Sequence, residues 1–212
     1  MKIFNLVFSL LILLTSNVSG QNDPEAIRIL DKFSSLALGA PSVSMKFSLI
    51  STDQVENTND TLSGSIIISN NKYKLDLPDN IIWFNGDISW SYLPAEKEVT
   101  ITKPDRKDDS FQSKPSAVFS MYKKGYKSRL IEERSDSYII DLYPVDLKGD
   151  LIRVRLSIGK SSLNLKSLEY KKKDGLVIKL LVKDYNLKTK PDPGFFTFSP
   201  EKFAGVEVID IR

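Results

Sequence analysis

The sequence contains neither cysteine nor histidine. Without cysteine there is no disulfide, no thiol nucleophile and no residue to carry a lipid anchor, so an exported fold must stand on its core alone. The absence of histidine removes the usual general base near neutral pH, the Ser-His nucleophile pair and the commonest zinc ligand. No G-x-S-x-G stretch occurs, which leaves no nucleophile turn of the hydrolase kind. Carboxylates are plentiful but dispersed. Asp105, Asp108 and Asp109 share one charged loop, an arrangement only a hard cation such as calcium would favour. No catalytic, cofactor or metal site is expected. The net charge of +3, from 30 basic and 27 acidic residues, is too even to attract nucleic acid. There is no internal repeat, no low-complexity tract and no linker that marks a second domain.

What is present fits one exported domain. A chain of 212 residues that is 41% hydrophobic can bury one substantial core. Its first twenty residues, with Lys2, an apolar run from Ile3 to Leu14 and small residues before Gln21, read as a cleaved secretory signal. That run is shorter than the roughly 20 residues a membrane-spanning helix needs. Residues 21–212 are expected to be a soluble single domain and a monomer.

Asp23, Pro24 and Glu25 form a helix start: a capping carboxylate, a proline at the first position and an acid at the positive end of the dipole. Ala26, Ile29, Leu30, Phe33, Leu36 and Ala37 recur at spacings of three and four, forming one apolar face, and Gly39 to Pro41 end the run. From Val43 the period becomes two, with Val43, Met45, Phe47 and Leu49 alternating with polar residues. Alternating stretches follow at short intervals, separated by Asn70-Asn71, Asn85-Gly86, Lys148-Gly149-Asp150 and Asp174-Gly175 turns. A tail from Phe195 onward reads as the final strand. The alternation breaks once, at the polar stretch Lys103 to Ser116. After it "PSAVFSMYKKG" places Val118, Met121 and Tyr122 on one face of a second helix, with Phe119 nearby and Gly125 as its stop. The expected fold is mainly β with a few helices: an incomplete antiparallel β-barrel of about eleven strands, with an α-helical lid over its apolar concave side.

Three stretches resemble one family. "GSIII" at Gly64 to Ile68, "NGDISWSYLPAEKEVTI" at Asn85 to Ile101 and "FFTFSPEKFAGVEVID" at Phe195 to Asp210 are similar, in content and order, to LolA. This is the periplasmic carrier that takes lipoproteins to the outer membrane. The resemblance covers essentially the whole mature chain. It implies an apolar cavity for the acyl chains of a lipoprotein, cargo accepted from an inner-membrane lipoprotein-releasing transporter, and delivery to an outer-membrane receptor. A periplasmic lipoprotein or lipid sensor of RseB type, built on the same half-barrel, is the alternative.

On this resemblance the inward positions Phe47, Leu49, Ile66, Ile68, Tyr73, Leu75, Trp83, Trp90 and Tyr92 are candidate cavity wall. On the residues alone they are ordinary core. The candidate lid comprises Ile29, Leu30 and Phe33 of the first helix with Val118, Phe119, Met121 and Tyr122 of the second. Members of the family hold the lid with an arginine near the strand that follows "GSIII". Here that region is "SNNKYKLDLP". Its cations are Lys72 and Lys74, which lack the planar fork of a guanidinium.

Overall fold

A computed structural model describes residues 22–104 and 114–212. The expected secretion signal, and Asp105, Asp108 and Asp109, lie outside them. Helix α1 (Pro24–Gly39) begins where its cap residues place it: the Asp23 carboxylate accepts from the amides of Glu25 and Ala26. Its buried face carries Ala26, Ile29, Leu30, Phe33, Ser34 and Ala37, whereas Leu36, expected on that face, is 45% exposed.

Among the described residues twelve strands follow: β1 (Val43–Asp53), β2 (Thr58–Ser69), β3 (Lys72–Asp76), β4 (Ile81–Phe84), β5 (Ser89–Leu93), β6 (Glu98–Thr102), β7 (Tyr126–Glu133), β8 (Ser137–Pro144), β9 (Leu151–Gly159), β10 (Leu165–Lys172), β11 (Leu176–Asn186) and β12 (Glu207–Asp210). They form one sheet in the order β12-β6-β5-β4-β3-β2-β1-β11-β10-β9-β8-β7. The ladder does not close between β12 and β7, so the architecture is an incomplete barrel. The turns fall where the sequence places them. At Asn85-Gly86 the Asn85 side chain accepts from the amides of Asp87 and Ile88. Gly86 has φ +100°, and a Cβ there would stand 2.8 Å from the Asn71 side chain, so the position requires glycine.

Three expectations change. "PSAVFSMYKKG" forms two short 3₁₀ turns, Pro115–Phe119 and Met121–Lys123, because Ser120 leaves helical geometry at φ −136°. The tail from Phe195 is largely irregular and becomes a strand only at Glu207–Asp210. That strand joins β6 in parallel, so the sheet is not wholly antiparallel: the tail leaves β11 at the middle of the sheet and reaches its far edge by crossing a face, not by a hairpin.

Candidate functional site: the concave core and its cover

Register decides which side chains share a face, because paired residues point the same way and neighbours in sequence point oppositely. Phe47 pairs with Gly64 and Leu49 with Leu62. Ile66 pairs with Leu75 and Ile68 with Tyr73. Gly64 makes room on that face: a Cβ would meet the Phe47 ring at 2.9 Å. These six predicted positions therefore lie on one face. Phe47, Ile66, Ile68 and Tyr73 are at most 5% exposed within the main core, and Leu49 and Leu75 pack against it.

The same core continues across the second half of the sheet through Ile140, Leu142, Val154, Leu156, Leu168 and Leu180. The sequence reading does not name these core positions, although their signal is plain: Val154, Leu156 and Ile158 alternate with Arg153, Arg155 and Ser157.

The predicted cover residues meet this core. Ile29, Leu30, Phe33, Val118, Phe119 and Tyr122 are at most 3% exposed, and Met121 packs beside them. The Phe33 and Phe119 rings stand 5.6 Å apart, which joins α1 to the first 3₁₀ turn. The Tyr122 hydroxyl donates to Asp31, which joins α1 to the second. Burial, reinforced by that bond, pushes the Tyr122 hydroxyl up to about 12. In this state the concave side is filled by the cover's own side chains.

Trp83, Trp90 and Tyr92 are not part of this wall. Tyr73 pairs with Phe84 and Leu75 with Ile82, so Trp83 points to the opposite, convex face. Trp90 pairs with Trp83 and Tyr92 with Ile81, placing all three rings outside. There the C-terminal segment covers them in a second cluster of Trp83, Tyr92, Val99 and Phe198, with Trp90, Phe203 and Val206 against it. Ring centroids lie 5.4 Å apart for Trp83–Phe198 and 4.7 Å for Tyr92–Phe203. The physical reason is that β5 and β6 carry Ser89, Ser91, Thr100 and Thr102 on the concave side, beside Leu93 and Glu98, and Trp90, Tyr92, Val99 and Ile101 on the other. A recess of about 500 Å³ lined by Phe195, Phe198, Pro200 and Glu201, among others, opens on this outer segment.

Lys72 and Lys74 also point outward. The Lys74 ammonium meets Asp76 at 2.7 Å and lies 5.5 Å from the Trp83 ring, so neither lysine reaches the cover. The start of α1 is instead tied to edge strand β7. The Asp23 amide donates to the Ser128 carbonyl at 3.0 Å. The Ser128 amide donates to Asn22 Oδ1 at 2.8 Å and the Leu130 amide to Asp23 Oδ2 at 3.1 Å. The pair satisfies backbone groups that an edge strand would otherwise leave open. Burial raises the Asp23 pKa, but the amides of Leu130, Glu25 and Ala26 outweigh it and hold the carboxyl below its ordinary value.

Among the described residues no helix is long and apolar enough to cross a membrane, and none of their acidic groups cluster as metal ligands do. A search of curated proteins found no match. Among solved structures, the chain is similar to an uncharacterized conserved protein from Thermus thermophilus. That match has 12% identity and a TM-score of 0.55, covering 88% of this chain and 99% of that one. A LolA superfamily protein from Nitrosomonas europaea matches at 15% identity and TM-score 0.41, covering 80% and 96%. The Mycobacterium tuberculosis lipoprotein LppX matches at 12% and 0.46, covering 81% and 100%. The family model described as outer membrane lipoprotein carrier protein LolA matches residues 16–173. With three quarters of its length matched by that model, the chain belongs to the LolA family of outer membrane lipoprotein carrier proteins.

Proposed function

We propose that this chain is a periplasmic carrier. Exported by residues 1–20 and working as a single domain, it binds the acyl chains of lipoproteins inside the incomplete barrel. It accepts this cargo from an inner-membrane transporter and delivers it toward the outer membrane. The observation that carries this reading is the way the core is closed. Across nine strands, β1 to β3, β7 to β11 and part of β4, the concave face is apolar. Among the described residues its cover is one helix and two short 3₁₀ turns held by a handful of polar ties.

Such a cover can be exchanged for other apolar matter. An acyl chain entering the core gains about 0.8 kcal/mol per buried CH₂. The displaced Ile29, Leu30, Phe33, Val118, Phe119, Met121 and Tyr122 lose comparable contacts. Cargo and cover therefore compete for one apolar space, so loading and release need only differential contact and no energy source of the carrier's own. The wall positions we assign are Phe47, Leu49, Ile66, Ile68, Tyr73 and Leu75, with the second-half strands completing it.

Inner-membrane vesicles carrying a triacylated lipoprotein and its releasing transporter provide the test. Incubation with this protein is expected to yield a soluble one-to-one complex, and passage of the cargo to outer-membrane vesicles marks a carrier. Retention of all acylated protein in the first membrane contradicts the proposal. Capture without any onward transfer supports a sensor instead.

A further inference from the structure

Among the described residues two side-chain atoms are buried without a hydrogen-bond partner: Ser34 Oγ and Ser128 Oγ. Ser34 lies beside the Tyr122 hydroxyl, within reach of a polar neighbour. Ser128 is the sharper case. Its residue is 0% exposed, and its pairing with Leu142, itself 0% exposed, turns the hydroxyl onto the concave face. Its same-face neighbours along and across the strands are Tyr126, Leu130 and Leu142, and the hydroxyl bonds to none of them.

Stability does not account for it. A buried hydroxyl that loses water and gains no partner opposes folding, and alanine would fill the position without that cost. A trapped water suits it poorly, since buried waters make two to four hydrogen bonds and the adjoining Leu130 and Leu142 side chains offer none. A ligand carbonyl oxygen differs: it is held in place by its own acyl chain and needs a single donor. Ser128 also sits on β7, the strand that borders the unclosed seam of the barrel. An acyl chain lying in the core with its head group at the seam would bring its first carbonyl near this strand.

We propose that Ser128 is a hydrogen-bond donor to the ester or amide carbonyl of a bound acyl chain, a polar anchor that fixes how deeply the chain enters. The inference rests on the carrier reading above. It makes the preferred ligand class carbonyl-linked acyl groups as opposed to alkyl chains of equal length.

Two soluble probes of equal chain length separate these classes: 1-palmitoyl-lysophosphatidylcholine and its 1-O-hexadecyl ether. The wild-type protein is expected to bind the ester about three- to tenfold more tightly, the range of one neutral hydrogen bond. Ser128→Ala is expected to abolish that preference by weakening the ester alone, while the ligand-free protein melts no earlier than wild type. A preference unchanged by Ser128→Ala overturns the proposal, as does earlier melting, which means the hydroxyl is already bonded in the empty protein. Equal wild-type affinity for the two probes overturns this proposal and leaves the carrier reading standing. Binding of neither overturns both.

Discussion

On the convex face, Arg155 grips Asp141 with two parallel hydrogen bonds, Nε to Oδ1 at 2.6 Å and Nη2 to Oδ2 at 2.8 Å. Register sets this pair in a row of alternating charge across five strands: Arg129, Asp141, Arg155, Glu169 and Lys179. Asp141 is only 1% exposed although it lies on the outer face. Tyr143 and Arg153 also donate to it. Burial raises the Asp141 pKa, and the hydrogen bonds and charge of Arg155, with Tyr143 and Arg153, more than reverse this, leaving the carboxyl below its ordinary 3.8.

Asp141→Asn is therefore expected to destabilise the protein by roughly 2–3 kcal/mol, since it removes a buried partner from charge-assisted bonds. Because the folded carboxyl titrates below the unfolded one, its contribution is complete above about pH 4 and is lost as pH falls through the folded value. Urea unfolding from pH 7 to pH 2.5 checks this. The wild type and the variant should differ at neutral pH and converge in acid, with an unchanged denaturant slope.

Asp23 works twice, as helix cap and as a tie to β7. Asp23→Ala should cost about 2 kcal/mol, more than the roughly 1 kcal/mol typical of a cap alone. Hydrogen exchange should quicken at the amides of Glu25, Ala26 and Leu130 together. If only the helix amides respond, the tie to the strand contributes nothing.

Tyr122→Phe removes the hydroxyl that joins the second 3₁₀ turn to Asp31 on α1. The expected result is a loss of about 1 kcal/mol in stability with a severalfold faster uptake of a fluorescent acyl probe, because the cover opens more often. Stopped-flow mixing measures the rate. An uptake rate that falls or stays constant would mean that this bond does not restrain the cover.

Much of this architecture is legible in the sequence, and the exceptions share a cause. The cap at Asp23, the Asn85-Gly86 turn and the alternation in β1 are local signals, and each appears where its chemistry requires. Trp83, Trp90 and Tyr92 lie on the face opposite the one expected, because a face assignment must be carried from strand to strand. The odd-numbered Tyr73 and Leu75 of β3 share their face with the even-numbered Ile82 and Phe84 of β4. Parity counted through that hairpin puts Trp83 outside. Period-two patterning shows that two rings share a face. It does not say which face is concave when the apolar side of the sheet changes at β5. The parallel pairing of β12 was beyond local reading as well, since its partner lies more than a hundred residues earlier. So was the second role of Asp23, whose partner Leu130 is 107 positions away.

The two apolar faces give separable predictions. Phe198→Ala, in the outer cluster, should cost about 3–5 kcal/mol and expose the segment from Phe195 to Asp210 to exchange, with acyl-probe affinity within twofold of wild type. Ile66→Ala, on the concave wall, should shift the preferred acyl length toward longer chains as the core gains space. Titration with fatty acyl probes of graded length reads both effects. A large loss of affinity in Phe198→Ala would place the acyl site on the wrong face of the sheet.

The most direct measurement is to load the protein with a lysophospholipid whose acyl chain carries a photoreactive diazirine near its end, irradiate it, and map the adducts by mass spectrometry. The account predicts labelling on the concave wall and cover, at positions such as Ile66, Leu75, Leu156 and Phe119, and none at Trp83, Tyr92 or Phe198. Labelling concentrated on that outer aromatic cluster, or no labelling above an unloaded control, would contradict it.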